Sequence, residues 1–459
     1  MPQISIIKKS DIQEARRFDA EFFKPEYLEI EKKLKKINNN LLDNLITKLT
    51  DYHANGSYQI LKQHVDLLDE PDYALMIRTV DFETDNFENN VKYVSENAYN
   101  FLNKTKLYGG EIIINKIGNA GRVYFMPYLN RKVSLGMNQF MMRANDKINN
   151  YFLYIFLISK FGKKIIERRI SGAVPLSIDK QSVKNITIPI LPKSFQLQIE
   201  KIVKSAYEKQ TQSKQLYKQA EEILLKELDL LNYKPEHILS FETTKKETDE
   251  AGRFDAEYFQ PKYEEIIKKI EKYEGGFDVV KNILNFNKKN FFPKENEFYN
   301  YIPLSRVSNS GEIEIPEKEF GKNLPTRARR KVKQGEIILS SISGSLETSA
   351  IIEKEHENFI VSNGFYVFNS EKINSETLLV LFKSKIIIQL LQRISKGAIL
   401  GGYDLTAFEK FKIPLINLKI QKQIAEKIKE SYKLRKESKG LLEKAKRRVE
   451  KEIEKEAGE

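Results

Sequence analysis

Arg17-Phe-Asp-Ala-Glu-Phe-Phe-Lys-Pro25-Glu-Tyr27 is written a second time, as Arg253-Phe-Asp-Ala-Glu-Tyr-Phe-Gln-Pro261-Lys-Tyr263. The copies lie 236 positions apart, and eight of the eleven residues are identical. A repeat of this kind decides the architecture before any element is assigned. Further along the offset settles at 225: Gly110-Glu-Ile-Ile returns as Gly335-Glu-Ile-Ile, and Asn138 and Phe140 match Asn363 and Phe365. Ser159-Lys160 matches Ser384-Lys385, Gly172-Ala173 matches Gly397-Ala398, and Ile188-Pro189 matches Ile413-Pro414. Gln196-x-Gln-Ile199 matches Gln421-x-Gln-Ile424. The change of offset puts an 11-residue length difference between the opening motif and Gly110. Between these anchors the copies diverge. Loops that vary on a fixed frame usually carry recognition, although drift after duplication leaves the same pattern.

Within each copy, Pro25 and Pro261 precede helical stretches of mixed charge, about Glu26 to Ile37 and Lys262 to Tyr273. β-Branched and aromatic runs follow. Tyr73–Val80, Glu111–Ile117 and Arg122–Met126 read as strands, as do Tyr299–Val307, Glu336–Ile342 and Phe365–Phe368. Leu153–Arg169 and Thr377–Ile394 read as helices. Each copy is therefore an α/β or α+β globule.

After Pro192 the pattern changes. Ile199, Ile202, Ala206, Leu216, Ala220, Ile223 and Leu224 form an apolar seam, interrupted by polar residues near Lys209 and Ser213. Ile424, Ile428, Leu434, Leu442, Ala445, Val449 and Ile453 form the second. Spacings of three and four predict long coiled-coil helices. The expected limits are 1–192 and 235–416 for the globules, and 193–234 and 417–459 for the helices.

The 459 residues are too many for one core. Lys and Arg number 77 against 64 Asp and Glu, a net charge of +13 that favours a polyanionic partner. The absence of cysteine removes disulfides, thiolate zinc sites and Cys nucleophiles. No phosphate-binding Gly-rich loop, no Asn-Pro-Pro-aromatic motif and no metal-spaced histidine pair occurs. The apolar stretches Tyr151–Phe161 and Leu378–Ile394 are too short or too interrupted to span a bilayer. A soluble, cytoplasmic, non-catalytic protein is expected.

The ordered motifs, repeated along essentially the whole chain, resemble the specificity subunits of type I restriction-modification systems. The resemblance implies two target-recognition domains separated by two long antiparallel helices, in a pseudo-two-fold repeat. Each domain would read one half of a bipartite, asymmetric site on double-stranded DNA. Two modification (methyltransferase) subunits would bring S-adenosylmethionine, and restriction subunits ATP and Mg; this chain itself would hold no cofactor. The position before the second Gln of the helix opening is often acidic in that family, and is Leu197 or Lys422 here.

Candidate DNA-binding residues in the first copy are Arg78, Lys116, Arg122, Arg131 and Lys132, with Asn119, Asn138 and Gln139 as base readers. In the second copy they are Lys288, Lys289, Arg306, Arg327, Arg329, Arg330, Lys331 and Lys333. Against each stands a solvated surface charge. Arg17, Asp19 and Glu21, with Arg253, Asp255 and Glu257, are expected to pack the globule onto a long helix. The competing reading of the whole chain is a coiled-coil adapter with two protein-binding globules.

Overall fold

The computed structural model describes residues 4–458 apart from 16, 89, 235, 309 and 398–400. Ala398 of the second Gly-Ala match, and the expected limits at 1, 235 and 459, lie outside the described residues. The chain divides into two compact units, Met1–Gln210 with Lys436–Glu459, and Thr211–Arg435. Gln210 and Arg435 are 225 positions apart, the offset already found in the sequence. Compactness thus divides the chain inside the two long helices, Lys193–Glu227 and Leu418–Glu456.

The first unit is α+β, with two four-stranded sheets. One has the strand order 46–51, 139–144, 112–115, 123–125, all antiparallel. The other runs 92–94, 74–77, 133–135, 106–107, and its central pair is parallel. Ile113 and Met141 face the second sheet, where they join Leu75, Ile77, Val133 and Leu135. Ile112, Ile114, Phe140 and Met142 face the helices Asn150–Ile158 and Lys160–Arg169. With both faces covered, Ile112, Ile113 and Ile114 are all fully buried, each contributing about 1.5–3 kcal/mol. A strand covered on both faces reads as a continuous apolar run, without alternation.

The second unit repeats this plan. Its sheets run 285–286, 365–369, 337–340, 349–351 and 318–320, 298–302, 360–362, 328–331. The hydrogen-bond ladders correct one sequence match. Ile114 pairs with Phe140, whereas Leu339 pairs with Tyr366. The structural counterpart of Phe140 is therefore Tyr366, not Phe365. The loop 116–122 has seven residues and its counterpart 341–348 has eight, which shifts the following strands to an offset of 226. The loop 371–373 is one residue shorter than 145–148, and the offset returns to 225 at Asn149 and Asn374.

Two expected helices are each broken in two. Ser159 ends Asn150–Ile158 and caps Lys160–Arg169 by accepting from the Gly162 amide. Ser384 does the same between Ser375–Lys383 and Lys385–Ile394, accepting from Ile387. A serine hydroxyl that competes for backbone amides favours such a cap over helix continuation.

Each long helix is tied to its own unit by a buried glutamine. Gln196 donates to the Leu191 carbonyl and accepts from the Asn149 amide, both at 2.8 Å. Gln421 makes the same pair of bonds with Ile416 and Asn374. In the first unit the two helix segments run antiparallel: Arg448 reaches Gln198 while Lys209 pairs with Glu437. Ile199 and Val203 share a core there with Ala445, Val449 and Ile453.

The opening motif does not sit on a long helix, as expected, but on the end of a shorter one. Arg17 forks onto Asp19 at 2.7 and 2.9 Å and reaches the Ile170 carbonyl, just past Lys160–Arg169. Arg253 forks onto Asp255 and reaches the Arg393 and Ser395 carbonyls. The guanidinium of Arg168 lies 4.1 Å from the Phe22 ring, and that of Arg393 4.7 Å from Tyr258. The bidentate bond holds Asp19 and Asp255 below the usual carboxylate range.

Candidate nucleic-acid interface

In the first unit three of the predicted residues, Arg78, Asn119 and Arg122, gather around the short helix Thr79–Glu83. Arg78 stands at its N-terminus, where the buried Asp81 accepts from the Arg78 backbone amide and from its guanidinium, both at 2.7 Å. Glu83 accepts from Asn119 at 2.6 Å and pairs with the exposed Arg122 at 3.6 Å. Asn119 and Arg122 lie on the loop that follows the strand 112–115. Lys116, on the same loop, turns to Asp51 at 2.8 Å. Three of the five predicted cations therefore already hold a carboxylate. Arg131 instead donates to the Phe87 carbonyl, and Lys132 lies 3.7 Å from the Tyr73 ring, donating to its hydroxyl. Both are exposed at the start of the strand 133–135.

The two remaining predicted readers differ. Asn138 is exposed, in a left-handed turn with φ +65°. Gln139 is fully buried and stands directly opposite Asn115, which is also fully buried. Among the described residues, no protein group bonds either side-chain amide. Gln139 faces inward between the sheets, so it does not belong to the accessible set.

The second unit presents a different surface. Lys288 pairs with Glu409 at 2.7 Å, and Arg306 with Glu314 at 2.6 Å. Among the described residues, Lys289, Arg327, Arg329, Arg330, Lys331 and Lys333 have no carboxylate within ion-pair distance. Arg329, Arg330 and Lys331 lie on the strand 328–331, at the edge of its sheet. That edge is covered by the segment 287–292: Phe291 donates to the Arg329 carbonyl at 2.7 Å, and Asn287 to that of Lys331 at 3.0 Å. The arrangement sets rings beneath cations. Arg329 lies 4.8 Å from the Phe292 ring, and Lys331 5.6 Å from Phe291. Arg330 donates to Asn290, and burial pulls its guanidinium below its ordinary pKa. Arg327 and Lys333 are exposed at the two ends of the strand, and Lys289 on the covering segment.

The structure thus brings Lys289, Arg327, Arg329, Arg330, Lys331 and Lys333 into one basic region, and leaves Arg306 and Lys288 neutralised beside it. The sequence reading did not single out the aromatic component. Phe292 is 66% exposed, and at the opposite edge Phe298 and Phe320 lie with centroids 3.9 Å apart and planes tilted by 33°, Lys322 lying over Phe320. The signal was present in Lys288-Lys289-Asn-Phe291-Phe292-Pro-Lys294, where rings interrupt a basic run. Cations over exposed rings suit phosphate contact beside base or sugar edges.

Comparison with known proteins converges on one family. The family model described as type I restriction modification DNA specificity domain matches residues 55–222 and 250–447. The chain is 23% identical over 368 residues to the type I restriction enzyme MjaVIII specificity subunit of Methanocaldococcus jannaschii, covering 75% of this chain and 80% of that one. It is 24% identical over 375 residues to the putative type I restriction enzyme MjaX specificity subunit of the same organism, covering 78% and 80%. Among solved structures, the S subunit of a type I restriction-modification system from M. genitalium aligns over 91% of this chain and 95% of its own, at 13% identity and a TM-score of 0.41.

Proposed function

The chain belongs to the type I restriction-modification DNA specificity family, and from that premise we propose that each of its two units reads one half of a bipartite, asymmetric DNA site. It is a DNA sequence-recognition subunit of such a system, with methyltransferase and restriction subunits as its partners. The observation that carries the two-half-site reading is the contrast between the units. One frame bears a mostly neutralised loop cluster in the first, and in the second a basic edge with exposed rings that holds no carboxylate among the described residues. Phosphate contacts from Arg327, Arg329 and Lys331 would set the position of the second unit on the duplex. Arg122, Asn119 and Asn138 would meet base edges in the first. Adenine methylation and cleavage would belong to the partners: two modification subunits with S-adenosylmethionine, and restriction subunits with ATP and Mg. The setting would be the cytoplasm; among the described residues no helix is long and apolar enough to cross a membrane.

Methylome sequencing of the host, with and without this gene, tests the reading. An interrupted asymmetric adenine-methylation motif is expected to vanish with the gene. An unchanged methylome, with an intact modification subunit expressed, would refute it.

A further inference from the structure

Glu83 ties two exposed side chains of the first unit to a single atom. Its Oε1 accepts from the Asn119 side-chain amide at 2.6 Å and pairs with Nη1 of Arg122 at 3.6 Å. The Arg122 side chain nevertheless stays 62% exposed. The loop that carries both residues is held on several sides. Gly121 takes φ +80°, and a Cβ there would come within 2.6 Å of Ile166, so the turn needs glycine. The Gly121 amide donates to the Asn115 carbonyl at 2.8 Å, and the Arg122 amide to that of Asn119 at 3.3 Å. The Lys116 amide donates to the Asn138 carbonyl at 2.7 Å. Phe82, beside Glu83, stacks on Tyr124, two residues past Arg122, with centroids 5.1 Å apart.

The Glu83 contacts are not part of the duplicated frame. In the second unit the segment after the strand 298–302 is Pro303-Leu-Ser-Arg-Val307, which carries no carboxylate. The loop 341–348 has Ser343-Gly-Ser345 near its tip, with neither an amide nor a cation. A requirement of the frame would recur in both units. A device for reading one half-site would differ between them, as this one does.

The chemistry of the shared oxygen fixes what Asn119 offers. A carboxylate only accepts, so it holds the Nδ2 end of the amide toward itself and leaves Oδ1 and the second N–H free. That acceptor and donor match the N6 donor and N7 acceptor of adenine. Arg122 spends one nitrogen on Glu83 and keeps further N–H groups for the O6 and N7 acceptors of guanine. Because both side chains touch one oxygen, they lie within about two base-pair steps of about 3.4 Å each.

We propose that Glu83 is a positioning residue that presets Asn119 to read an adenine and Arg122 a guanine, at neighbouring base pairs of the first unit's half-site. The inference rests on the reading of the chain as a DNA-recognition subunit, while the choice of bases rests on the contacts of Glu83.

The test uses the full-length chain with the modification subunit from the same locus. Methylation rates are measured on duplexes in which each position of the recognised site is substituted in turn. The wild-type complex is expected to require an A·T and a G·C pair, about two steps apart or closer, in one half of the site. Asn119→Ala should lose discrimination at the A·T pair and Arg122→Ala at the G·C pair, each by roughly tenfold or more. Glu83→Gln keeps the shape but can present a donor to Asn119, so the amide is free to turn. It should relax the A·T position by roughly tenfold, with the melting temperature and the preferences of the other half unchanged. A half-site without these two pairs overturns the proposal, as does Glu83→Gln with wild-type discrimination. A Glu83→Gln loss spread evenly over both halves, or a lowered melting temperature with unchanged preferences, overturns it too, because either marks a merely structural role. If the wild-type complex methylates without regard to sequence, the recognition reading itself falls, a result distinct from a specific complex that is insensitive to Glu83.

Discussion

Ser213 and Ser431 exchange hydrogen bonds: each hydroxyl donates to the other residue's carbonyl oxygen at 2.8 Å, and both side chains are buried. This pair occupies the place where the apolar seam of the first long helix lapses. It satisfies in polar form a contact that isoleucine, valine and alanine make elsewhere. Each carbonyl keeps its helical bond when a hydroxyl is removed, so Ser213→Ala or Ser431→Ala should cost about 0.5–1.5 kcal/mol. The hydroxyl oxygens also lie 3.0 Å apart, so the cost of the double substitution should differ measurably from the sum of the singles. Urea unfolding of the four proteins checks this; strict additivity would show that the two bonds are independent.

Replacing Arg327, Arg329 and Arg330 together by Ala should weaken DNA binding chiefly at one half-site. The log–log salt slope should flatten by roughly 0.9 for each phosphate that the protein no longer neutralises. Gel-shift titrations at several salt concentrations, on sites mutated in one half or the other, measure both effects. An unchanged slope would mean that this edge stays in solvent.

Gln139→Met should leave DNA affinity unchanged and raise stability by about 1 kcal/mol or more. The buried amide has no protein partner among the described residues, and an unbonded buried amide costs roughly 1–3 kcal/mol. A stable variant with impaired DNA binding would return Gln139 to the reading surface.

A fragment ending at Asn232 should dimerise. It lacks Lys436–Glu459, which completes the first unit, and so exposes Ile199, Val203 and Ala206. By the offset of 225, Thr211–Leu231 of a second copy corresponds to Lys436–Glu456 and can cover that seam, at about 25 cal/mol per Å² of apolar surface. The pairing would be isologous. With the modification subunit present, a palindromic methylation motif containing one original half-site is expected in place of the asymmetric one. Light scattering at micromolar concentration and methylation mapping read the two outcomes. A folded monomer would count against the seam as the dimerising surface.

The duplication and the long helices were legible in the sequence, because each rests on periodicity or on identity over many residues; Glu111–Ile117 was legible as a strand, but not its cover on both faces. The breaks at Ser159 and Ser384 were not, since apolar spacing continues through them and only a side-chain bond decides. The register of the middle strands was hidden by a coincidence of letters: Phe140 matches Phe365 in type, while the ladder places it with Tyr366. Charge was the least legible. Lys116 is neutralised by Asp51, 65 positions away, and nothing local announces it. The Arg78–Asp81 contact spans three residues and could have been read as a helix cap.

The compensated loops have a wider consequence. One loop is longer by a residue in the second unit and a later one shorter by a residue, so the stretch from the strand 112–115 to Asn149 and that from 337–340 to Asn374 have equal length. Both re-enter the frame through the same bond, an asparagine amide donating to the glutamine that opens a long helix. The intervening stretch therefore behaves as an interchangeable cassette. Its register can slip by a residue and recover, while the sockets that receive it stay fixed. A one-residue change in a loop of either half is thus absorbed before the helix junction, without rebuilding the scaffold.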